Sequence, residues 1–290
     1  MSSLFITGAS GFTGQHLARM AEERGIEVFA LKADLLDRQA LRDELYAINP
    51  LQIFHLAAIS SVEHGNHEEF YKVNVVGTLN LLECLVEMKR SPRRVFLTST
   101  ANVYGDAGVK LIDENLYANP VNHYGASKLA MESLAKIYYD KLPIIIGRPF
   151  NYTGVGQGSN FLIPKIVKSF AQNAGPIELG NTDIVREFND VRDICEIYLE
   201  LMRTGSVGET YNICSGRALS LENVLSLISN ISGFKLEIVQ RTKYKRVNDI
   251  HTLVGSPEKV LDRIGGYNFR PITETLEWMY SAEASTFKSG

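Results

Sequence analysis

Apolar runs of strand length punctuate the first half of the chain: Leu4-Phe5-Ile6, Glu27 to Leu31, Pro50 to Ala58, Arg94 to Thr98 and Leu142 to Gly147. Each predicts a buried strand, because short runs with little polar alternation suit a sheet covered on both faces. The segments between them return apolar residues at helical spacing. Over 68–88, Val73, Val76, Leu79, Leu82 and Leu85 recur at that period, with Asn74 as a polar interruption. Pro120 and Asn122 are start signals for a helix that runs to about Asp140. Asp34-Leu35-Leu36-Asp37 follows the second strand at once, so the crossover helix there is expected to be missing or very short. Strands alternating with helices predict an α/β fold with a doubly wound parallel sheet.

The rhythm stops at Arg148-Pro149-Phe150-Asn151-Tyr152-Thr153-Gly154-Val155-Gly156-Gln157-Gly158, whose glycines and proline mark a crossing into a second lobe. Beyond it the pattern predicts helices around 161–172, 190–204, 220–231 and 272–281, and strands near 184–188, 209–213 and 235–240. The helix at 190–204 is expected to return to the first domain. That domain would then span 1–152 plus about 188–208, with a smaller α/β C-terminal lobe over 153–187 and 209–290.

With 290 residues, 45% of them hydrophobic, the chain is long enough for two modest domains with a substantial core. A net charge of −3, a pI near 6.1 and the absence of any basic run argue against nucleic acid or a membrane surface as partner, and leave a small molecule. The longest apolar runs, such as Ile144-Ile145-Ile146, fall far short of a membrane span, and the start goes straight into structure without a charged leader. A cytoplasmic location is expected. Cys84, Cys195 and Cys214 are widely spaced with no Cys-x-x-Cys, which favours buried thiols over disulfides or metal ligands. His64 and His67 are the only close histidine pair, without further ligands nearby, and no metal site is expected.

Thr7-Gly8-Ala9-Ser10-Gly11-Phe12-Thr13-Gly14 joins the first strand to a helix. Glycines there let the backbone turn tightly and approach a pyrophosphate, and the N–H groups at the helix start attract its charge, so the stretch reads as a dinucleotide loop. At the end of the second strand, where an acid ordinarily holds the adenine ribose 2′-hydroxyl, the chain has Lys32. A cation there suits a 2′-phosphate and favours NADP over NAD, with Asp34 a candidate for the adenine amine. His55-Leu56-Ala57-Ala58 ends the third strand in small residues, as passage close to a nicotinamide ribose requires, with Ser60 and Ser61 at the cleft edge. Ser99 to Gly105 is the loop at the carboxyl end of the fourth strand, where open α/β sheets bind ligands. Tyr124 and Lys128 stand four apart on one helix face. The ammonium is expected to lower the phenol from its ordinary ~10, which makes Tyr124 a candidate general acid or base sharing a hydrogen bond with a loop hydroxyl.

Together and in this order, these segments resemble the extended short-chain dehydrogenase/reductase family acting on nucleotide-activated sugars, over nearly the whole chain. The resemblance implies a Rossmann-type domain that binds NADP or NAD through Gly8, Ser10, Gly11, Phe12, Thr13, Gly14, Lys32, Asp34, Leu35, Leu56, Ala57, Ala58, Asn74 and Thr98, together with Tyr124 and Lys128. It implies a catalytic set of Tyr124, Lys128 and Thr100, the loop residue four before Tyr104. Arg186-Glu187-Phe188-Asn189-Asp190-Val191 is similar to the stretch whose arginine approaches the nucleotide diphosphate. Candidates for nucleotide-sugar contacts are Ser60, Ser61, Thr100, Asn102, Asn151, Asn160, Arg186, Arg246 and Asp249. A homodimer through the helices at about 68–88 and 121–140 is likewise implied by the resemblance.

The family's 4,6-dehydratases carry a glutamate two residues after the catalytic threonine. Asn102 stands there in this chain, a neutral amide with no useful pKa for proton abstraction, which disfavours dehydration. The segments Tyr211 to Gly216, Arg246 to Ile250 and Leu253 to Lys259 look most like GDP-4-keto-6-deoxy-mannose reductases. A nucleotide-sugar 4-epimerase of the UDP-glucose or UDP-N-acetylglucosamine type is the alternative. A non-catalytic dinucleotide sensor is opposed by the presence of Thr100, Tyr124 and Lys128 together.

Overall fold

β1 (Leu4–Thr7) leads through α1 (Phe12–Glu23) to β2 (Val28–Ala30), and α2 (Arg38–Ile48) crosses to β3 (Gln52–His55). The computed structural model describes residues 3–61, 65–241 and 250–288. Next come α3 (His67–Tyr71), a π-helical turn (Lys72–Gly77), α4 (Thr78–Glu87), β4 (Arg94–Thr98), α5 (His123–Lys136) and β5 (Ile144–Pro149). After β6 (Tyr152–Thr153), α6 (Leu162–Ala171), β7 (Ile177–Leu179), β8 (Val185–Arg186) and β9 (Asn189–Asp190), the chain returns through α7 (Val191–Thr204) and β10 (Thr210–Ile213). The remainder is β11 (Leu219–Ser220), α8 (Leu221–Ser232), β12 (Ile238–Gln240), β13 (Thr252–Leu253), α9 (Glu258–Ile264) and α10 (Ile272–Lys288).

Six strands form one sheet in the order β10-β5-β4-β3-β1-β2, every neighbouring pair parallel. Side chains alternate along each strand, and both faces are apolar. Phe5, Ile53, Val95, Ile144 and Ile146 pack with the buried residues of α2, α4 and α5, while Leu4, Ile6, Phe54, Phe96 and Ile145 pack with those of α1 and α7. Each fully buried side chain of this kind contributes roughly 1.5–3 kcal/mol. The runs lack polar alternation because neither face meets water. A separate apolar core joins α6, α8 and α10, with Ile166, Phe170, Val224, Ile228 and Leu276 fully or almost fully buried.

The structure corrects the sequence reading at four places. The crossover after β2 holds a full helix of 11 residues. Asp37, read as part of a tight link, is its N-cap and accepts from Ala40 N at 3.0 Å, while Leu41 and Leu45 are buried beneath it. The helix expected over 68–88 is interrupted by the π-helical turn, in which Asn74 directs its amide away from the helix to other segments. Thr210–Ile213, assigned to the second lobe, is the edge strand of the main sheet against β5. α9 was not anticipated; it is bounded by Pro257 and by Gly265 at φ +84, and packs on α7 and β10. Among the described residues no helix is long and apolar enough to cross a membrane, and no group of three or more His, Cys, Asp and Glu side chains is placed to hold a metal. His64 lies outside the described residues, and all three cysteines are buried.

Candidate active site

The strand order reverses between β1 and β3, and at such a switch point the diverging loops leave a crevice at the strands' carboxyl ends. A cleft of about 360 Å³ opens there, lined by the segments that follow β1, β3, β4 and β5. The glycine loop is folded tightly into its floor. Gly11 N donates to Gly8 O at 3.0 Å, and Gly8 has φ +74. A Cβ on Gly8 would lie 2.7 Å from Ala57 N, and one on Gly14 would lie 2.2 Å from Gly8 O. α1 is capped by Gly11, which has no side chain to bond its amides, and carries no acid in its first turn, which leaves those amides available to an anion. The residues present therefore fit a dinucleotide pyrophosphate. Gly14→Ala is expected to cost about 1–3 kcal/mol of overpacking and weaken NAD(P)H binding by roughly ten- to a hundredfold. Titration calorimetry beside a melting curve checks it.

A buried polar thread ties this loop to the helix that carries Tyr124. Ala57 N donates to Thr7 Oγ1 at 3.2 Å, and Thr7 Oγ1 lies 2.8 Å from His55 Nδ1. His55 Nε2 lies 2.8 Å from Thr78 Oγ1, whose own proton goes to Asn74 O. Thr78 has one proton, so it accepts from His55; Nε2 carries the hydrogen and Nδ1 accepts from Thr7. Burial and the nearby Lys128 charge push the His55 pKa down to about 3, so the ring stays neutral. Asn74 Nδ2 donates to Ser127 Oγ at 3.0 Å, its Oδ1 accepts from Ile59 N, and Ser127 donates to Tyr124 O at 2.8 Å. Asn74, expected against the cofactor, is thus placed among protein groups. The parts of His55, Thr78 and Ser127 were missed; polar residues set within apolar periodicity were the available signal.

Thr100 caps a 3₁₀ turn (Ala101–Tyr104) after β4. Asn102 donates to Thr100 Oγ1 from both its backbone N and its Nδ2, each at 3.2 Å, and accepts from Asn122 Nδ2 at 3.3 Å. Asn122 also caps α5, accepting from Gly125 N at 2.8 Å. Gly125 is what lets α5 come this close, since a Cβ there would lie 2.5 Å from Asn102 O. A hydroxyl that accepts twice has its single proton left to donate, and Thr100 shares a hydrogen bond with Tyr124.

Burial pushes the Tyr124 phenol above its ordinary value, and the bond with Thr100 pulls the other way. Lys128 donates from Nζ to Thr98 O at 2.7 Å; burial lowers its pKa to about 8, against the opposing charge of Glu132. The expected lowering of the phenol by Lys128 is therefore not what the structure shows: burial raises the phenol, only the bond with Thr100 opposes it, and the ammonium is directed at a carbonyl. One turn further along α5, Glu132 accepts from Ser99 Oγ and from Arg148 Nε at 2.8 Å and Nη2 at 2.5 Å. Arg148 Nη1 donates to Tyr104 OH at 2.8 Å, which donates to Asn212 Oδ1 at 2.7 Å.

Of the residues singled out in the sequence, Gly8, Gly11, Phe12, Thr13, Gly14, Leu56, Ala58, Ser60, Thr98, Thr100, Asn102, Tyr124, Lys128 and Asn151 line the cleft. Ser10, Ala57, Ser61 and the exposed Asn160 do not, and Lys32, Asp34 and Leu35 stand beyond the end of β2. Arg186, expected at the diphosphate, is buried; it donates from Nη1 to Val185 O and His251 O and from Nη2 to Ile250 O. Its place in a strand flanked by β11 and β13 puts those carbonyls around it. Arg246 and Asp249 lie outside the described residues. Ser99, Ala101, Pro149, Phe150, Tyr152, Gln157, Phe161 and Leu253 complete the lining, and none of them was among the site residues expected from the sequence. Tyr152 OH lies 2.7 Å from Thr13 Oγ1, joining the segment after β5 to the glycine loop.

A glycine loop at the switch point of a parallel sheet, opposite a hydrogen-bonded Thr and Tyr with a buried Lys, is the arrangement of an oxidoreductase that works with a nicotinamide dinucleotide. The model of the GDP-mannose 4,6 dehydratase family matches residues 27–279, and the chain belongs to that family of extended short-chain dehydrogenase/reductases. It is an NAD(P)-dependent oxidoreductase. It is 38% identical over 283 residues to the GDP-6-deoxy-D-talose 4-dehydrogenase of Aggregatibacter actinomycetemcomitans, covering 96% of each chain. To the GDP-6-deoxy-D-mannose reductase of Pseudomonas aeruginosa it is 32% identical over 277 residues, 90% of each. The solved structure of RMD from Pseudomonas aeruginosa complexed with NADPH superposes with a TM-score of 0.90 at 31% identity, over 99% of this chain and all of that one.

Proposed function

We propose that this protein reduces the C4 ketone of a nucleotide-activated 4-keto-6-deoxyhexose, GDP-4-keto-6-deoxy-mannose, to GDP-rhamnose or its 4-epimer, in deoxysugar biosynthesis. The observation that carries the proposal is the chemistry of the cleft: among the described residues no Asp, Glu or His lines it, and Asn102 stands beside Thr100. Dehydration needs a further base for a carbon-bound proton, beside the Tyr124 that serves the oxygen, and among the described residues no carboxylate or imidazole lines the cleft to supply it. Ketone reduction needs only one proton delivered to oxygen. Relatives whose names specify redox at a GDP-6-deoxyhexose support the same reading.

Bound NAD(P)H supplies the hydride. Tyr124 donates its proton to the C4 oxygen as negative charge develops there, and Thr100 donates a hydrogen bond to hold that oxygen. Lys128 keeps a cation beneath the pair, and Asn102 fixes the direction of the Thr100 hydroxyl by occupying its acceptor positions. Ser60, after β3, and Asn151, after β5, line the cleft and are the residues proposed to meet sugar hydroxyls. A homodimer is part of the reading: Val76 and Val86, along the π-helical turn and α4, and Ile137, just past α5, are exposed apolar residues that a second copy would cover.

The test mixes the purified protein with GDP-4-keto-6-deoxy-mannose and NADH or NADPH and follows nicotinamide absorbance. Stoichiometric loss with a 4-hydroxy product is expected. Tightly held NAD, no consumption and interconversion of a UDP-hexose pair would make the protein a 4-epimerase instead.

A further inference from the structure

The side chain of Glu44, on α2, returns to the end of β2. Its Oε1 accepts from Lys32 N at 2.9 Å, and its Oε2 accepts from Ala33 N at 2.8 Å and from Lys32 N at 3.2 Å. Leu31 N bonds Ile6 O at 3.0 Å, two residues before Gly8, so Lys32 and Ala33 stand at the rim beside the glycine loop. In an α/β dinucleotide site this rim is where the adenosine ribose is met. The sequence presents a lysine there. The folded chain brings in a carboxylate from 12 residues further on.

We infer that Glu44 reads the ribose 2′ position, accepting a hydrogen bond from a 2′-hydroxyl and rejecting a 2′-phosphate, so that NADH is the preferred form; this rests on the dinucleotide reading of the cleft. Three features carry it. Two consecutive amides at this rim, which could otherwise donate to a phosphate, already hold the Glu44 carboxylate. A carboxylate has about four acceptor positions, and two N–H groups leave room for a hydroxyl donor. Asp34, whose carboxylate accepts from Leu36 N at 2.9 Å, adds a second negative group beside Lys32. A phosphate of nearly two negative charges would displace Glu44 or sit against it. RMD from Pseudomonas aeruginosa is complexed with NADPH, so the inference separates this chain from a relative of similar fold.

A staple between α2 and β2 needs only an acceptor, and glutamine supplies one; rejection of a phosphate needs the charge. Dissociation constants of NADH and NADPH are measured by nicotinamide fluorescence on the whole protein, on E44Q and on E44A, each with a melting curve. The unaltered protein is expected to bind NADH about tenfold or more tighter than NADPH, and both variants to narrow that ratio by about tenfold through a gain for NADPH. Equal or tighter binding of NADPH by the unaltered protein, or variants that change both constants in parallel, would overturn the inference while leaving the dinucleotide site standing. Binding of neither nucleotide would remove the site itself and this inference with it.

Discussion

Tyr124→Phe is expected to lower kcat by about 10²–10⁴, the range for losing a positioned general acid, while NAD(P)H still binds. The ring is kept and only the hydroxyl is lost, so the packing of Tyr124 against Phe70 and the cap that starts α5 remain. Thr100 would still offer its proton to the substrate oxygen, which is why a residual rate is expected. The pH dependence follows from the same geometry. In the direction of reduction Tyr124 must begin protonated, and burial, which raises its pKa, keeps it so across neutral pH. Lys128 must be charged, and its pKa is about 8. kcat/KM for reduction should therefore be level below pH 8 and fall as the pH rises through it. Steady-state rates over pH 6 to 10 for both proteins check the two expectations; a phenylalanine variant with near-normal turnover would remove Tyr124 from the chemistry.

Much of this site was legible because its residues obey local rules. Gly8 and Gly14 are fixed by backbone approaches that exclude a Cβ, and Asn122 sits where a helix needs a cap. Tyr124 and Lys128 are placed together by helical spacing alone. What escaped the sequence depends on contacts between distant segments. Glu44 acts at Lys32 only because α2 folds back along β2, and an acid inside a helix is ordinarily a solvated one. Arg186 carried a motif, but the carbonyls of Ile250 and His251 that hold it come from the segment just before β13, which is remote in sequence. The phenol of Tyr124 was expected low from its neighbour four residues on; the depth of the cleft, which no spacing encodes, sets the opposite direction.

Arg148→Ala is expected to cost about 3–5 kcal/mol of stability, because it leaves the Glu132 carboxylate charged and buried with Ser99 as its remaining side-chain partner. Urea denaturation measures it, and a loss below ~1 kcal/mol, the size of an exposed pair, would show that the ion pair is solvated. Replacing both partners by apolar residues of similar volume, Glu132→Leu with Arg148→Met, should recover most of the loss, since no charge is then stranded. Such recovery would leave open why the chain keeps an ion pair behind its active helix, and Lys128 gives the reason. Glu132 is the charge that holds the Lys128 pKa up against burial. In Glu132→Gln that support is gone, the Lys128 pKa moves further down, and the fall in kcat/KM should shift to lower pH. A merely structural pair would change stability and leave the pH at which activity falls where it was. The double replacement is thus expected to restore the fold without restoring the pH profile, which separates the two roles of Glu132 in a single protein.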